Sequence, residues 1–255
     1  MLVIREAQMK SLGRGVQDRF AARLCDVFVQ AYPRECRQAG GPTAMLRWVR
    51  IGLDSAVAAG YLSQYESGRW LALMLILGVD FAIDPQLPWV RDCLDATVVP
   101  DPSDRIDLLF ERTLDYLGDT AGKDAEYEVR AMLRMRAIDL GSLPALPDEA
   151  AVAAACDRLS VLYPRKFAFQ GPELTAKTVA RQLLRAHEMG LAGPAGEFLF
   201  VMLSFMMGSG FDHDPLHPWA SAILHPAIGD SDGDDRTARL EAAAREHLAM
   251  SLSKA

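Results

Sequence analysis

The side chains best suited to chemistry lie close together around residue 213. The segment 212–217 reads Asp-His-Asp-Pro-Leu-His, which places carboxylates and imidazoles, common ligands of zinc, within six residues. All five histidines of the chain lie after residue 186. Because Pro215 divides the segment, His213 and His217 are not expected to share one helix face. We predict a polar surface turn here, and a metal-dependent enzyme centred on His213 and His217 is the alternative.

A second polar segment, residues 230–235, is rich in aspartate. It reads Asp-Ser-Asp-Gly-Asp-Asp, so that carboxylates stand at positions 1, 3 and 5 of a calcium-binding loop, with Glu241 at position 12. Position 6, which requires glycine, is Asp235. The last predicted helix also begins inside this loop. The pattern therefore favours a solvated loop with helix-capping acids over a calcium site.

The serines and cysteines lack the neighbours that nucleophilic catalysis requires. Ser209 lies between two glycines, but the G-x-S-x-G pattern of hydrolases is absent around it. Cys25 and Cys156 each precede an aspartate, yet the first half of the chain has no histidine to activate a thiol. No dinucleotide-binding, P-loop or H-E-x-x-H motif is present. We therefore expect no catalytic residue, no cofactor and no enzyme activity.

Rare residue types recur in the same order about 130 residues apart. The clearest block is a motif of aromatic residues, aspartate and proline, which appears as Phe81, Asp84, Pro85, Pro88 and Trp89 and again as Phe211, Asp214, Pro215, Pro218 and Trp219. The tripeptide Tyr-Pro-Arg recurs at 32–34 and 163–165. Such recurrence predicts an internal duplication. We expect two helical repeats, residues 1–140 and 141–255, packed as one pseudo-twofold domain.

We interpret the repeated motif as structural. Asp84 is placed to cap a helix that begins at Pro85, since proline has no N–H that a first helical turn would leave unpaired. The aromatic pair Phe81 and Trp89 is expected to close over this turn, and the same is expected of the second copy. A duplicated ligand pocket is the alternative.

The remainder of the sequence predicts an all-α fold. Alanine, leucine, methionine, arginine and glutamate dominate, and the alternation typical of strands is hard to find. Apolar residues spaced three and four apart predict a first helix over about 5–32 and two connecting helices over about 102–117 and 124–139. The stretch 118–122, which begins and ends with glycine, is expected to interrupt the earlier of these two. Residues 141–148 read as a linker in which Asp148 caps the following helix.

Composition restricts the class of partner. The net charge of -7 disfavours nucleic acid, which requires a basic surface. The most apolar stretches, 70–79 and 198–207, have about half the length that a membrane span needs. Charged residues appear within the first five positions, so we expect no secretory signal and a cytoplasmic protein. The four cysteines are too widely spaced for a C-x-x-C site and are expected to be free thiols.

Together these features resemble a family of bacterial proteins encoded beside the VgrG and PAAR spike genes of type VI secretion systems. The resemblance rests on the opening Ile4-Arg5-x-x-Gln8-Met9-x-x-Leu12, the first helix from Phe20 to Pro33, and the motif at 81–89. It covers nearly the whole chain and transfers no catalytic residue.

The resemblance implies an adaptor or co-chaperone that helps load a toxic effector onto the spike. Its partner would be the effector, the effector's chaperone or a spike protein, and the contacting residues are not assigned. An immunity protein that neutralises a basic toxin is the alternative, since the chain is acidic.

Overall fold

The computed structural model describes residues 6–191, 193–226 and 233–253. All regular structure within these residues is helical, which confirms the predicted fold class. The α-helices in this part of the chain are α1 (Glu6–Ala31), α2 (Pro33–Gln38), α3 (Pro42–Ala58), α4 (Gln64–Leu77), α5 (Pro88–Cys93), α6 (Pro102–Thr120), α7 (Glu126–Ala137), α8 (Asp148–Leu162), α9 (Pro164–Gln170), α10 (Pro172–Glu188), α11 (Gly193–Met207), α12 (Pro218–Leu224) and α13 (Gly233–Leu252). None of them combines the length and apolar character needed to cross a bilayer.

Local signals explain where many helices begin. Proline occupies the first turn of α3 and α10, at Pro42 and Pro172, where its missing N–H leaves no hydrogen bond unmade. Helix α4 begins with a capping box, in which Ser63 and Glu66 satisfy each other's backbone N–H groups. The helices of the second half follow the first in order, with α10 starting 130 residues after α3.

The predicted cap of the helix after the linker was wrong. Asp148 is the first residue of α8, and Pro147 occupies the N-cap position that we expected Asp148 to hold. Helix α6 continues through Gly118 and ends at Thr120, within the stretch 118–122 that was expected to interrupt it. A single glycine costs a helix only about 1 kcal/mol, which the buried face of α6 outweighs.

Each half has its own hydrophobic core. The first surrounds Trp48, Trp70 and Phe81, and the second surrounds Phe200 and Phe211, all with at most 1% of their surface exposed. Helix α3 packs on α1 and α4, α10 packs on α8 and α11, and α6 contacts α9 across the two halves. Leu216, from the second half, belongs to the first core. The halves therefore share apolar packing where the repeated motifs lie.

Candidate functional site at the junction of the halves

The two copies of the repeated motif meet back to back. Gly78 and Gly208 stand at the start of each motif turn with φ angles of 100° and 96°. A β-carbon on Gly78 would lie 3.1 Å from the carbonyl oxygen of Met207, and one on Gly208 would lie 3.1 Å from that of Leu77. The two backbones therefore approach with no room for a side chain, and only glycine tolerates this conformation without strain.

Asp84 joins the two turns with hydrogen bonds. Its Oδ1 accepts the backbone N–H of Gln86 at 2.8 Å, which closes its own turn, and its Oδ2 accepts the N–H of Ser209 at 2.8 Å. The Gln86 side chain also crosses the junction and donates to the carbonyl of Ser204 at 2.8 Å. Helix α5 begins only at Pro88, with Leu87 as its N-cap. The prediction that Asp84 caps a helix beginning at Pro85 was therefore wrong, because its carboxylate closes the turn instead.

Asp214 makes the same pair of contacts in the opposite direction. It accepts the N–H of Leu216 at 2.8 Å, and the backbone of Val79, in the first half, also favours its charged form. Burial raises the pKa of Asp214 to about 6, against the lowering effect of the Leu216 hydrogen bond. Each aspartate thus closes the turn of its own half and interacts with the backbone of the other half.

The aromatic residues of the motif fasten these turns to other helices. Phe81 packs on Trp70 with ring centroids 4.7 Å apart, whereas Trp89 packs on Tyr116 at 5.7 Å. In the second copy the corresponding pairs are Phe211 with Phe200 at 5.2 Å, and Trp219 with His247 at 5.4 Å. The turn directs Phe81 toward α4, and α5 directs Trp89 toward α6, so the two aromatic residues hold the turn to different helices.

A buried carboxylate, Asp212, organises the histidine-bearing turn. Arg185 binds its two oxygens at 2.9 and 3.0 Å, and His225 Nε2 lies 3.0 Å from Oδ2. Burial opposes ionisation of Asp212, but the hydrogen bond from His213 and the charge of Arg185 outweigh it and hold its pKa at about 2. Sequence reasoning missed Arg185 and His225. The sequence did contain one signal: Ala82 stands at the position of the first copy that matches Asp212, so this carboxylate is specific to the second copy.

His213 connects this network to the first half. Its Nε2 lies 3.1 Å from Asp80 Oδ2 and its Nδ1 lies 3.4 Å from Asp212 Oδ1. Hydrogen bonds to Asp212 and Asp80 raise its pKa to about 10. The imidazolium is therefore an ionic link between the halves, with both ring nitrogens already engaged.

His217, the other metal candidate, lies in a different environment. Its ring packs on His247 at 5.4 Å and on Trp219 at 6.3 Å. Burial, reinforced by His247, lowers the pKa of His217 to about 3, so the ring is neutral. The structure does not bring His213 and His217 together at a common ligand. Among the described residues no three His, Cys, Asp or Glu side chains are arranged to hold a metal.

The remaining sequence candidates add no reactive group. Residues 230–232 of the acidic stretch lie outside the described part of the chain, and 233–235 begin α13. The cysteines are unpaired, and Cys25 is buried with a raised pKa caused by desolvation and by Asp26. A reactive thiol has a lowered pKa instead. Ser209 contributes to the junction through its backbone: its N–H donates to Asp84, and its carbonyl accepts a hydrogen bond from Arg185 at 2.6 Å.

A cavity of about 260 Å³ lies beside the junction and is lined by residues of both halves. Leucines and four methionines form much of its wall, namely Met132, Met135, Met206 and Met207. Lys166 donates to the carbonyl of Phe205 at 2.5 Å. Burial raises the pKa of Glu128, and the nearby charge of Lys166 opposes that effect. Apolar side chains thus form about half of the wall, and its charged groups are one lysine, Lys166, and four acids, Glu35, Asp84, Glu128 and Asp214.

The contacts at the junction satisfy backbone groups and charges, and the cavity beside it offers an adaptable apolar wall. Comparisons of the chain with protein-family models, with curated proteins and with solved structures found no match.

Proposed function

We propose that this protein is a noncatalytic adaptor or co-chaperone that helps to load a type VI secretion effector onto the VgrG/PAAR spike in the cytoplasm. The resemblance of its opening segment and its motif at 81–89 supports the secretion context. The cavity at the junction supports protein binding. The partner is the effector, its chaperone or a spike protein.

The methionine-rich wall of the cavity is the observation that carries this proposal. Met206 and Met207 are partly exposed, so the cavity is accessible from solvent. Methionine side chains are flexible and polarisable, and they adapt to apolar groups of different shape. A protein that accepts the apolar side chains of a client needs such a surface, whereas an enzyme needs a fixed arrangement of reactive groups.

We further propose that the scaffold arose by internal duplication and that residues 1–140 and 141–255 pack about a pseudo-twofold axis. The similar contacts of Asp84 and Asp214 support this interpretation, because each aspartate closes its own turn and interacts with the backbone of the opposite half. Two similar units that pack against each other leave a cleft lined by both, and the cavity lies in such a cleft.

Co-expression with the products of neighbouring genes tests the proposal. The tagged wild-type protein is expected to retain one neighbour in a pull-down, and Met206→Glu is expected to release it by placing a charge in the apolar wall. Leu184→Glu is the matched control, because Leu184 is 68% exposed and lies outside the cavity lining. Thermal melts of all three proteins establish that they are folded. Failure of every neighbour to copurify with the wild type would overturn the proposal.

An immunity protein is the second candidate, favoured by the net charge of -7, which complements a basic toxin. The two candidates differ in what their loss does to cells. Deleting an adaptor lowers effector secretion and leaves producing cells alive, whereas deleting an immunity protein kills cells that express the neighbouring toxin. A survival assay beside a secretion assay separates them.

A further inference from the structure

A groove of about 740 Å³ lies on the surface between α5, α6 and α9, where a row of aromatic rings forms its floor. Trp89 packs on Tyr116 at 5.7 Å, and Tyr116 packs edge-on against Phe169 at 5.0 Å. Phe169 is 41% exposed and Leu114, beside it, is 53% exposed. Two large apolar side chains therefore face solvent in one concave surface.

Acidic side chains surround this floor. Asp92, Asp115 and Asp119 line the groove and are exposed. Within the described part of the chain, none of the three has a lysine, arginine or histidine within ion-pair distance. Arg112 is the basic residue of the lining. The groove thus carries an excess of negative charge that the protein itself leaves unpaired.

The second half does not reproduce this groove. In the second copy Trp219 packs on His247, where Trp89 of the first copy packs on Tyr116, and Gln38 stands 131 positions before Phe169, the offset of the Tyr-Pro-Arg repeats. There the ring that follows His247 is the imidazole of His217 rather than an exposed phenyl ring such as that of Phe169. Residues shared by both halves build the scaffold, so a surface found in one half only is where a specific contact is expected.

We propose that this groove binds an arginine-bearing apolar segment of the partner protein. A guanidinium stacks on aromatic faces and pairs its planar donors with carboxylates, and the groove presents both features together. Apolar neighbours of the arginine would cover Leu114 and Phe169. This inference rests on the proposed function in taking the partner to be a protein, and it places the contact on a surface distinct from the cavity wall at Met206.

Binding of a labelled peptide to the full chain tests the site. The probe is a fluorescein-labelled peptide of alternating arginine and leucine, compared with peptides in which lysine or glutamate replaces arginine. Fluorescence anisotropy should rank arginine above lysine and should detect no binding of the glutamate peptide. Affinity should fall as salt rises, because the charges are exposed.

Two pairs of variants locate the contact. Asp115→Asn/Asp119→Asn should weaken binding roughly fivefold, as expected for two exposed ion pairs. The matched control Asp54→Asn/Asp157→Asn changes the net charge equally at exposed sites outside the groove and should leave the affinity unchanged. Phe169→Tyr should retain binding and Phe169→Leu should lose it, because only tyrosine keeps an aromatic face. Equal weakening by both double variants would overturn the proposal in favour of general charge attraction.

The same variants separate this proposal from the proposed function. If a neighbouring gene product copurifies equally well with wild type and with Asp115→Asn/Asp119→Asn, the groove site is wrong and the adaptor function stands. If the peptide binds in the groove but no neighbour copurifies, the adaptor function is wrong and the site stands. Concentration-dependent self-association lost in Phe169→Leu would instead identify a second copy of this chain as the occupant and overturn the proposal.

Discussion

The backbone N–H of Ser209 donates a 2.8 Å hydrogen bond to the carboxylate of Asp84, so the second half of the chain completes a turn of the first. The same carboxylate also accepts the N–H of Gln86. Both Asp84 and Ser209 are buried, which means that water cannot replace either partner.

Asp84→Ala is therefore expected to lower the free energy of unfolding by about 1–3 kcal/mol, because two buried N–H groups lose their acceptor. Urea denaturation measures the change. Ile83→Ala is the control, since Ile83 is 71% exposed and its truncation should change stability by less than about 0.5 kcal/mol. An equal effect of the two substitutions would show that the cross-half bond contributes nothing.

The close approach of Gly78 and Gly208 predicts a graded series of alanine variants. Gly208→Ala should destabilise by about 2–4 kcal/mol, because a positive φ and a backbone contact both oppose the new β-carbon. Gly171→Ala has a positive φ but open space around the β-carbon, and should cost about 1–2 kcal/mol. Gly68→Ala, within α4 and with no atom in the way, should stabilise by about 0.5–1 kcal/mol. Thermal or urea unfolding of the three should reproduce this order, and a stabilising Gly208→Ala would contradict the packing.

The ionic link through His213 predicts that the difference in stability between wild type and His213→Ala depends on pH. The folded-state pKa, about 10, lies above the ordinary value of 6.5, so the stabilisation is complete below pH 6.5 and is lost as pH rises toward 10. His213 and Asp80 are both partly exposed, so we expect only about 1 kcal/mol between wild type and His213→Ala at pH 6. Asp80→Asn should reduce that difference in a double-mutant cycle. A difference that stays constant from pH 6 to pH 10 would contradict the assignment.

For His217 we predict a pH dependence of stability opposite to that of His213, because here the wild type loses stability as the pH falls. Its folded-state pKa of about 3 lies below the unfolded value of 6.5, so below pH 6.5 the unfolded chain binds a proton that the folded chain does not. His217→Leu, which introduces the residue found at the matching position 87, removes this penalty. The variant should gain about 1.4 kcal/mol over wild type for each pH unit below 6.5, or about 2 kcal/mol at pH 5. Unfolding at pH 8 is the internal control, because there the pH-dependent gain should vanish.

The fold class and many helix ends follow from local signals, and for this reason the sequence predicts them well. Pro42 and Pro172 start helices through their own geometry, without help from distant residues. Asp84 is an example that local signals do not explain. Its ability to cap a turn is evident from the sequence, but its second oxygen accepts a hydrogen bond from a residue 125 positions away. Which atoms face that oxygen depends on how the two halves meet, and nothing near Asp84 in the sequence encodes it.

The partners of the histidine-bearing turn could likewise not be predicted from the nearby sequence. The pattern of residues 212–217 marked it as unusual, yet the side chains that determine its chemistry come from elsewhere. Arg185 lies 27 positions before Asp212 and is brought to it by α10. Asp80 comes from the other half. With those partners present, the cluster forms an internal salt-bridge network, whereas its sequence pattern resembles a metal site.

Tyr116 lines both the groove and the cavity at the junction. Its ring touches Trp89 and Phe169 on one side and forms part of the methionine-rich wall on the other. A ligand that changes the position of this ring at one surface alters the affinity of the other, and thermodynamic reciprocity requires the second ligand to act back by the same factor. If the cavity and the groove bind partner segments as proposed, this one side chain would make the two binding events interdependent.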